Sequence, residues 1–120
     1  MQEIDVHEAM RRVEGGARLI DVREQDEWDA GHAPVARLLP MSALQERCTE
    51  IAADDEPALI ICHSGHRSGM VADALERSGV PAVSVAGGMV AWAQAGGAVT
   101  TAADDASGHH DAVGEPGSDA

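Results

Sequence analysis

The sequence has no phenylalanine, no tyrosine and no lysine; its eight basic residues are all arginine, and its aromatic content is two tryptophans. With 44% apolar residues, a core is still within reach, but aliphatic side chains and Met must fill it. The shortage of cations excludes one class of partner. A net charge of -13 leaves no basic surface for nucleic acid or an anionic membrane. No apolar run approaches the roughly 18 residues of a membrane span. The opening Met1-Gln2-Glu3-Ile4-Asp5 has neither a basic segment nor an apolar one of the secretory kind, so a cytoplasmic setting is expected. Cysteine is scarce too. Cys48 and Cys62 could pair on count alone, but a disulfide is not expected in a cytosolic chain of this size.

At 120 residues the chain has room for one domain. Asp5, followed three residues later by Glu8, opens a helix whose apolar face is Val6, Met10 and Val13 and which Gly15-Gly16 closes. Ala17 to Val22 reads as a strand, Glu24 to Ala30 as a short helix or turn ending at Gly31, and Arg37-Leu38-Leu39 as a weak strand. Ser42 with Gln45 suggests a second capping box, opening a helix to about Ala53 with Leu44, Cys48 and Ile51 inward; Asp54 to Pro57 is a loop. Ala58-Leu59-Ile60-Ile61 carries no alternation, as in a strand buried on both faces of a parallel sheet. A helix from Arg67 to Ser78 follows, with Met70, Val71, Ala74 and Leu75 inward, then a strand from Ala82 to Ala86 and a last helix near Met89 to Ala95. Trp28 and Trp92 are expected to anchor the core. This alternation predicts an α/β domain with a mostly parallel sheet. From Thr100 to Ala120 the chain holds five acidic residues and no arginine, which predicts an acidic disordered tail after a domain spanning 1–99.

The chemistry concentrates in Cys62-His63-Ser64-Gly65-His66-Arg67-Ser68, directly after the buried strand and directly before a helix. Ligands of open α/β sheets bind at the carboxyl ends of the strands. There the loop amides converge, and the helix N-terminus adds partial positive charge. A thiol so placed loses its proton readily, and the thiolate is the nucleophile. Gly65 permits the tight turn, Ser64 and Ser68 can donate inward, and His63, His66 and Arg67 can attract an anion against the global field. Cys48, on an apolar helical face, reads as a small core residue. Asp21 and Arg23 read as an ion pair supporting the site from behind, and His32 as a hydrogen-bonding residue of a turn. His109-His110 is tail composition. Cys62, His63 and His66 are too tightly spaced to converge on a metal, and no cofactor is called for.

Four segments in order resemble the rhodanese family, over about Glu3 to Val99. They are Asp21-Val22-Arg23-Glu24; Glu27-Trp28 with Gly31-His32-Ala33-Pro34 and Leu39-Pro40; the Cys62–Ser68 loop; and Gly87-Gly88-Met89 with Trp92. One departure is Val35-Ala36-Arg37, where the family has a small residue after the proline. The resemblance implies a rhodanese-like fold, a central mostly parallel sheet with helices on both faces. It also implies transfer of a sulfane sulfur through a Cys62 persulfide, from a small anionic donor to a thiol or cyanide acceptor. The family's cationic loops go with thiosulfate-type donors and its small neutral loops with mercaptopyruvate, so His63, His66 and Arg67 point to thiosulfate.

Two other readings compete. Cysteine phosphatases and arsenate reductases use a similar loop but keep five residues between Cys and Arg; here His63 to His66 make four, a tighter cradle suited to one sulfur atom. A non-catalytic rhodanese-like docking module commonly lacks the cysteine that this chain keeps. Physiological donor, acceptor and oligomeric state are left open by the sequence.

Overall fold

A computed structural model describes residues 2–51 and 56–107. Its order is β1 (Gln2–Ile4), α1 (Val6–Glu14), β2 (Leu19–Asp21), α2 (Gln25–Ala30), β3 (Arg37–Leu38), α3 (Leu44–Arg47), β4 (Ala58–Ile61), α4 (His66–Arg77), β5 (Ala82–Val85), α5 (Gly88–Gln94) and α6 (Ala102–Ser107). The five strands form one sheet in the order β1-β5-β4-β2-β3, and every pairing is parallel. The central strands are buried along their whole length, which is why Ala58–Ile61 reads as an unbroken apolar run and Ala82–Val85 as one broken only by Ser84.

Alternation along β4 divides the core. Leu59 and Ile61 join Val6, Ala9, Val83, Val85, Met89 and Trp92 on the face covered by α1 and α5. Ala58 and Ile60 join Val71, Ala72, Leu75 and Ile51 on the face covered by α4. Helices therefore flank the sheet on both sides, as the resemblance implied.

Local chemistry explains most element boundaries. The Asp5 carboxylate accepts from the Glu8 amide at 2.9 Å and starts α1. Only half of that capping box forms, because the Glu8 carboxylate turns to Arg11 and Arg12 instead. Glu24 and Glu27 supply the reciprocal contact at α2, where the Glu24 amide donates to Glu27 Oε1 at 3.0 Å.

Several expectations need correction. The N-terminal strand β1 was not expected; its residues Gln2 and Glu3 are exposed, so it lacks a buried strand's pattern. The helix expected from Ser42 to about Ala53 is instead a broken run, with 3₁₀ turns at Met41–Ala43 and Cys48–Glu50 on either side of the one-turn α3. Ser42 does not cap it: its hydroxyl donates to Glu24 Oε1 at 2.6 Å, tying the segment back to the start of α2. Residues 52–55, including Ala53 and Asp54, lie outside the described residues. On α4, Met70 is 46% exposed and Ala74 is exposed, while Ser68 and Ala72 point inward with Val71 and Leu75. The buried stripe is thus rotated toward the sheet by one residue.

Trp92 is buried as expected and donates its indole N–H to the Ala98 carbonyl at 2.9 Å. Trp28 is only half-buried, stacked on His32 with ring centroids 3.6 Å apart, so it covers a turn rather than anchoring the core. The composition change at Thr100 brings no immediate loss of structure. Thr100 pairs with His32 through both backbone bonds, and α6 follows, started by the Thr101 hydroxyl accepting from the Asp104 amide. Residues 108–120, with His109 and His110, lie outside the described residues. The valine departure at Val35 costs nothing sterically, since this side chain is 59% exposed on a turn.

Candidate active site

The site forms where β4 ends. Cys62 is 1% exposed, while its loop neighbours His63, Ser64 and His66 are exposed. Gly65 adopts φ 105°, a left-handed conformation that glycine takes without strain, and serves as the N-cap of α4. This turn bends the chain back over the sulfur. The Gly65 amide donates to Cys62 Sγ at 3.1 Å and the Ser68 amide at 3.3 Å. The Ser68 hydroxyl lies 3.5 Å from the same sulfur.

These donors decide the state of the thiol. Burial pushes its proton affinity up, but the Ser68 hydroxyl and the amides of Ser68, Gly65 and Ser64 together outweigh it and hold the thiol below its ordinary value. Ser64 therefore acts through its amide, while its side chain faces solvent rather than inward.

The loop owes its shape to α5 as well. The Met89 amide donates to the Cys62 carbonyl at 2.8 Å and the Val90 amide to the His63 carbonyl at 3.1 Å. Two loop carbonyls are thus turned away from the sulfur, which leaves amides to face it. Such an approach is open only to glycine at position 88, where a Cβ would lie 2.3 Å from the Cys62 carbonyl oxygen.

Asp21 and Arg23 form the expected pair, buried at the end of β2 with Arg23 Nη2 2.8 Å from Asp21 Oδ2. Arg23 also donates to the backbone carbonyls of Glu27 and Gly31, and so fastens α2 to the sheet. His32 sits buried in the turn, its Nδ1 2.8 Å from the Trp28 carbonyl.

Arg67 has a partner that the sequence did not show: Nη1 and Nη2 donate to the two carboxylate oxygens of Glu27 at 2.7 and 2.8 Å. Each partner confirms the other's charge: Arg67 holds the Glu27 carboxyl down at about 2, with burial opposing, and Glu27 raises the already high Arg67. Glu27 was read in the sequence only as part of a signature, since nothing local marks a partner 40 residues away. Arg23, Glu27, Ala30, Gly31 and His63 line an open pocket of about 330 Å³ beside the loop. Cys48 is half-buried and apart from this arrangement; both cysteines are free thiols. Among the described residues no group of three or more His, Cys, Asp or Glu is placed to hold a metal, and no helix is long and apolar enough to cross a membrane.

Residues 5–95 match the rhodanese-like domain family. The chain belongs to that family. Among its relatives, the uncharacterized protein YqhL of Bacillus subtilis is 39% identical over 77 residues, covering 63% of this chain and 60% of YqhL. The putative sulfur carrier protein YrkF of the same organism is 34% identical over 92 residues, covering 76% of this chain and 45% of YrkF. The chain thus spans about half the length of these two relatives. A rhodanese-related protein from Thermoplasma volcanium superposes with a TM-score of 0.75 at 27% identity, over 83% of this chain and 98% of that one.

Proposed function

We propose that this rhodanese-like domain is a sulfurtransferase in which Cys62 carries the sulfur as a persulfide. The observation that carries the reading is the convergence of the Gly65 and Ser68 amides on Cys62 Sγ, at 3.1 and 3.3 Å. Donors so placed favour a sulfur anion. The Cys62 thiolate attacks the outer sulfur of thiosulfate or a related persulfide donor, the donor's S–S bond breaks, and sulfite (or the donor thiolate) leaves with the bonding electron pair. An acceptor thiolate or cyanide then attacks the outer sulfur of the persulfide and restores the Cys62 thiolate. His63, Ser64, Gly65, His66 and Ser68 form the walls and rim, while Asp21 and Arg23 hold the pocket wall from behind.

The depth of Cys62 supports transfer of a small group. The outer sulfur of a thiosulfate-type donor is small enough to approach a side chain that is 1% exposed. A tetrahedral phosphate needs a wider cradle than the four residues between Cys62 and Arg67 make. The name of one relative, a putative sulfur carrier protein, is in keeping with this chemistry.

Mass spectrometry after incubation with thiosulfate tests the reading. The expected result is one added sulfur, mapped to Cys62, which Cys62→Ser loses and Cys48→Ser retains. Sulfur on Cys48 alone, or no adduct with any sulfane donor, overturns it.

A further inference from the structure

The strand β5 reads Ala82-Val83-Ser84-Val85 and is wholly buried. A hydroxyl there gains nothing by packing and costs free energy unless it is bonded. Ser84 lies on the face of β5 that meets α4, and its Oγ is 2.8 Å from Ser68 Oγ. Ser68 Oγ in turn is 3.1 Å from the Gly65 carbonyl and 3.5 Å from Cys62 Sγ. Ser68 therefore has three polar neighbours and a single hydrogen to give.

The protonation state of Cys62 decides where that hydrogen goes. With a thiol, the S–H can donate to Ser68 Oγ, and Ser68 donates to the Gly65 carbonyl. With a thiolate, the sulfur only accepts, so the Ser68 hydrogen turns to it. The Gly65 carbonyl is not stranded by this turn, because the Gly69 amide still donates to it at 3.2 Å. Ser68 Oγ then needs a donor of its own, and the Ser84 hydroxyl is the one within reach. A hydroxyl that accepts one hydrogen bond donates a stronger one.

We propose that Ser84 is a positioning residue for the Cys62 thiolate: by donating to Ser68 Oγ it fixes the Ser68 hydroxyl in the orientation that stabilises the sulfur anion. It touches no substrate and acts only through Ser68. The inference rests on Cys62 being the reactive sulfur, as proposed above, but not on any particular donor.

Iodoacetamide alkylation of Cys62, followed across pH in a Cys48→Ser background, tests this without a sulfur donor. Ser84→Ala lowers the rate at pH 7 about threefold and leaves the plateau at high pH unchanged. Ser84→Thr, which keeps the hydroxyl, restores the rate and serves as a second probe should the alanine variant fold poorly. In a Ser68→Ala background, Ser84→Ala has no further effect. An unchanged rate in Ser84→Ala, or an equal fall with Ser68 already removed, overturns the role of Ser84 alone. A Cys62 that alkylates no faster at pH 7 than Cys48 does in Cys62→Ser overturns the sulfur-transfer reading and this one with it.

Discussion

Glu27 and Arg67 are joined by two hydrogen bonds, at 2.7 and 2.8 Å, and so tie α2 to the first turn of α4. The pair has an electrostatic consequence for the neighbouring sulfur. Arg67 brings a positive charge to the loop, and Glu27 brings an equal negative one. Arg23 is balanced in the same way by Asp21. Under the proposed function, the pull on an anionic donor falls largely to the loop amides and the start of α4, set against a chain charge of -13. Neutralised arginines therefore make the site less cationic than its sequence suggests.

Glu27→Gln removes the negative partner and leaves the Arg67 charge uncompensated near the sulfur. We expect the KM for thiosulfate to fall about threefold, with kcat little changed, because a partly screened unit charge is altered at the rim. Raising the salt to about 0.5 M should abolish the difference. Steady-state kinetics of both proteins at two salt concentrations checks this. An unchanged KM at low salt would show that Arg67 exerts no pull on the donor.

The same pair contributes to stability in a pH-dependent way. The Glu27 carboxyl is held at about 2, below its ordinary 4.5, so the folded state resists protonation that the unfolded state accepts. Its contribution is complete above 4.5 and disappears as the pH falls toward 2. Both side chains are about 30% exposed, so solvent screening reduces the contribution to about 1 kcal/mol. Wild type should melt about 5 °C above Glu27→Gln at neutral pH. That gap should close as the pH drops below 4.5, as followed by thermal melts across pH.

Gly88 holds a backbone conformation of φ 55° against the loop, and a Cβ there would lie 2.6 Å from both the His63 carbonyl carbon and its oxygen. All the crowded atoms are backbone, so Gly88→Ala must displace the loop and break the contacts from Met89 and Val90. Transfer activity should fall about a hundredfold, since small misplacements of reacting groups are that costly. Gly79→Ala is the control: its φ is 89°, but nothing lies within 4 Å. It should lose about 1 kcal/mol of stability through backbone strain and keep its activity. Activity and urea unfolding of the two variants separate loop geometry from strain.

The legible parts of this protein were those whose partners are close in sequence. The loop Cys62–Ser68 could be read because strand, turn and helix start are contiguous, and β4 and β5 because parallel strands buried on both faces are mostly apolar and show no polar alternation. Asp21 and Arg23 lie two residues apart, and their pairing was foreseen. What escaped depends on distant contacts. Strand β1 exists by pairing with β5 some 80 residues later, and its own residues are polar and partly exposed. The helix expected from Ser42 was misread because Glu24, 18 residues upstream, takes the Ser42 hydroxyl. Arg67 was placed correctly in the loop, but its direction is set by Glu27 from another helix. Ser84 carried no mark, since a lone serine in an apolar strand becomes informative only when its hydroxyl is seen beside Ser68.

Asp21 and Arg23 give the last prediction, on the stability of the pocket wall. Both side chains are buried, and Arg23 bridges the end of β2 to the carbonyls of Glu27 and Gly31. Asp21→Asn leaves the Arg23 cation buried without its counter-charge, at a cost of about 3 kcal/mol. Arg23→Met strands the Asp21 carboxylate and two carbonyls, at a similar cost. The double variant buries neither charge, so it should lose about 2 kcal/mol less than the two single losses combined. Urea unfolding of the four proteins measures that coupling. Additive losses would mean that the two charges do not depend on each other, and that Arg23 holds α2 through its carbonyl contacts alone.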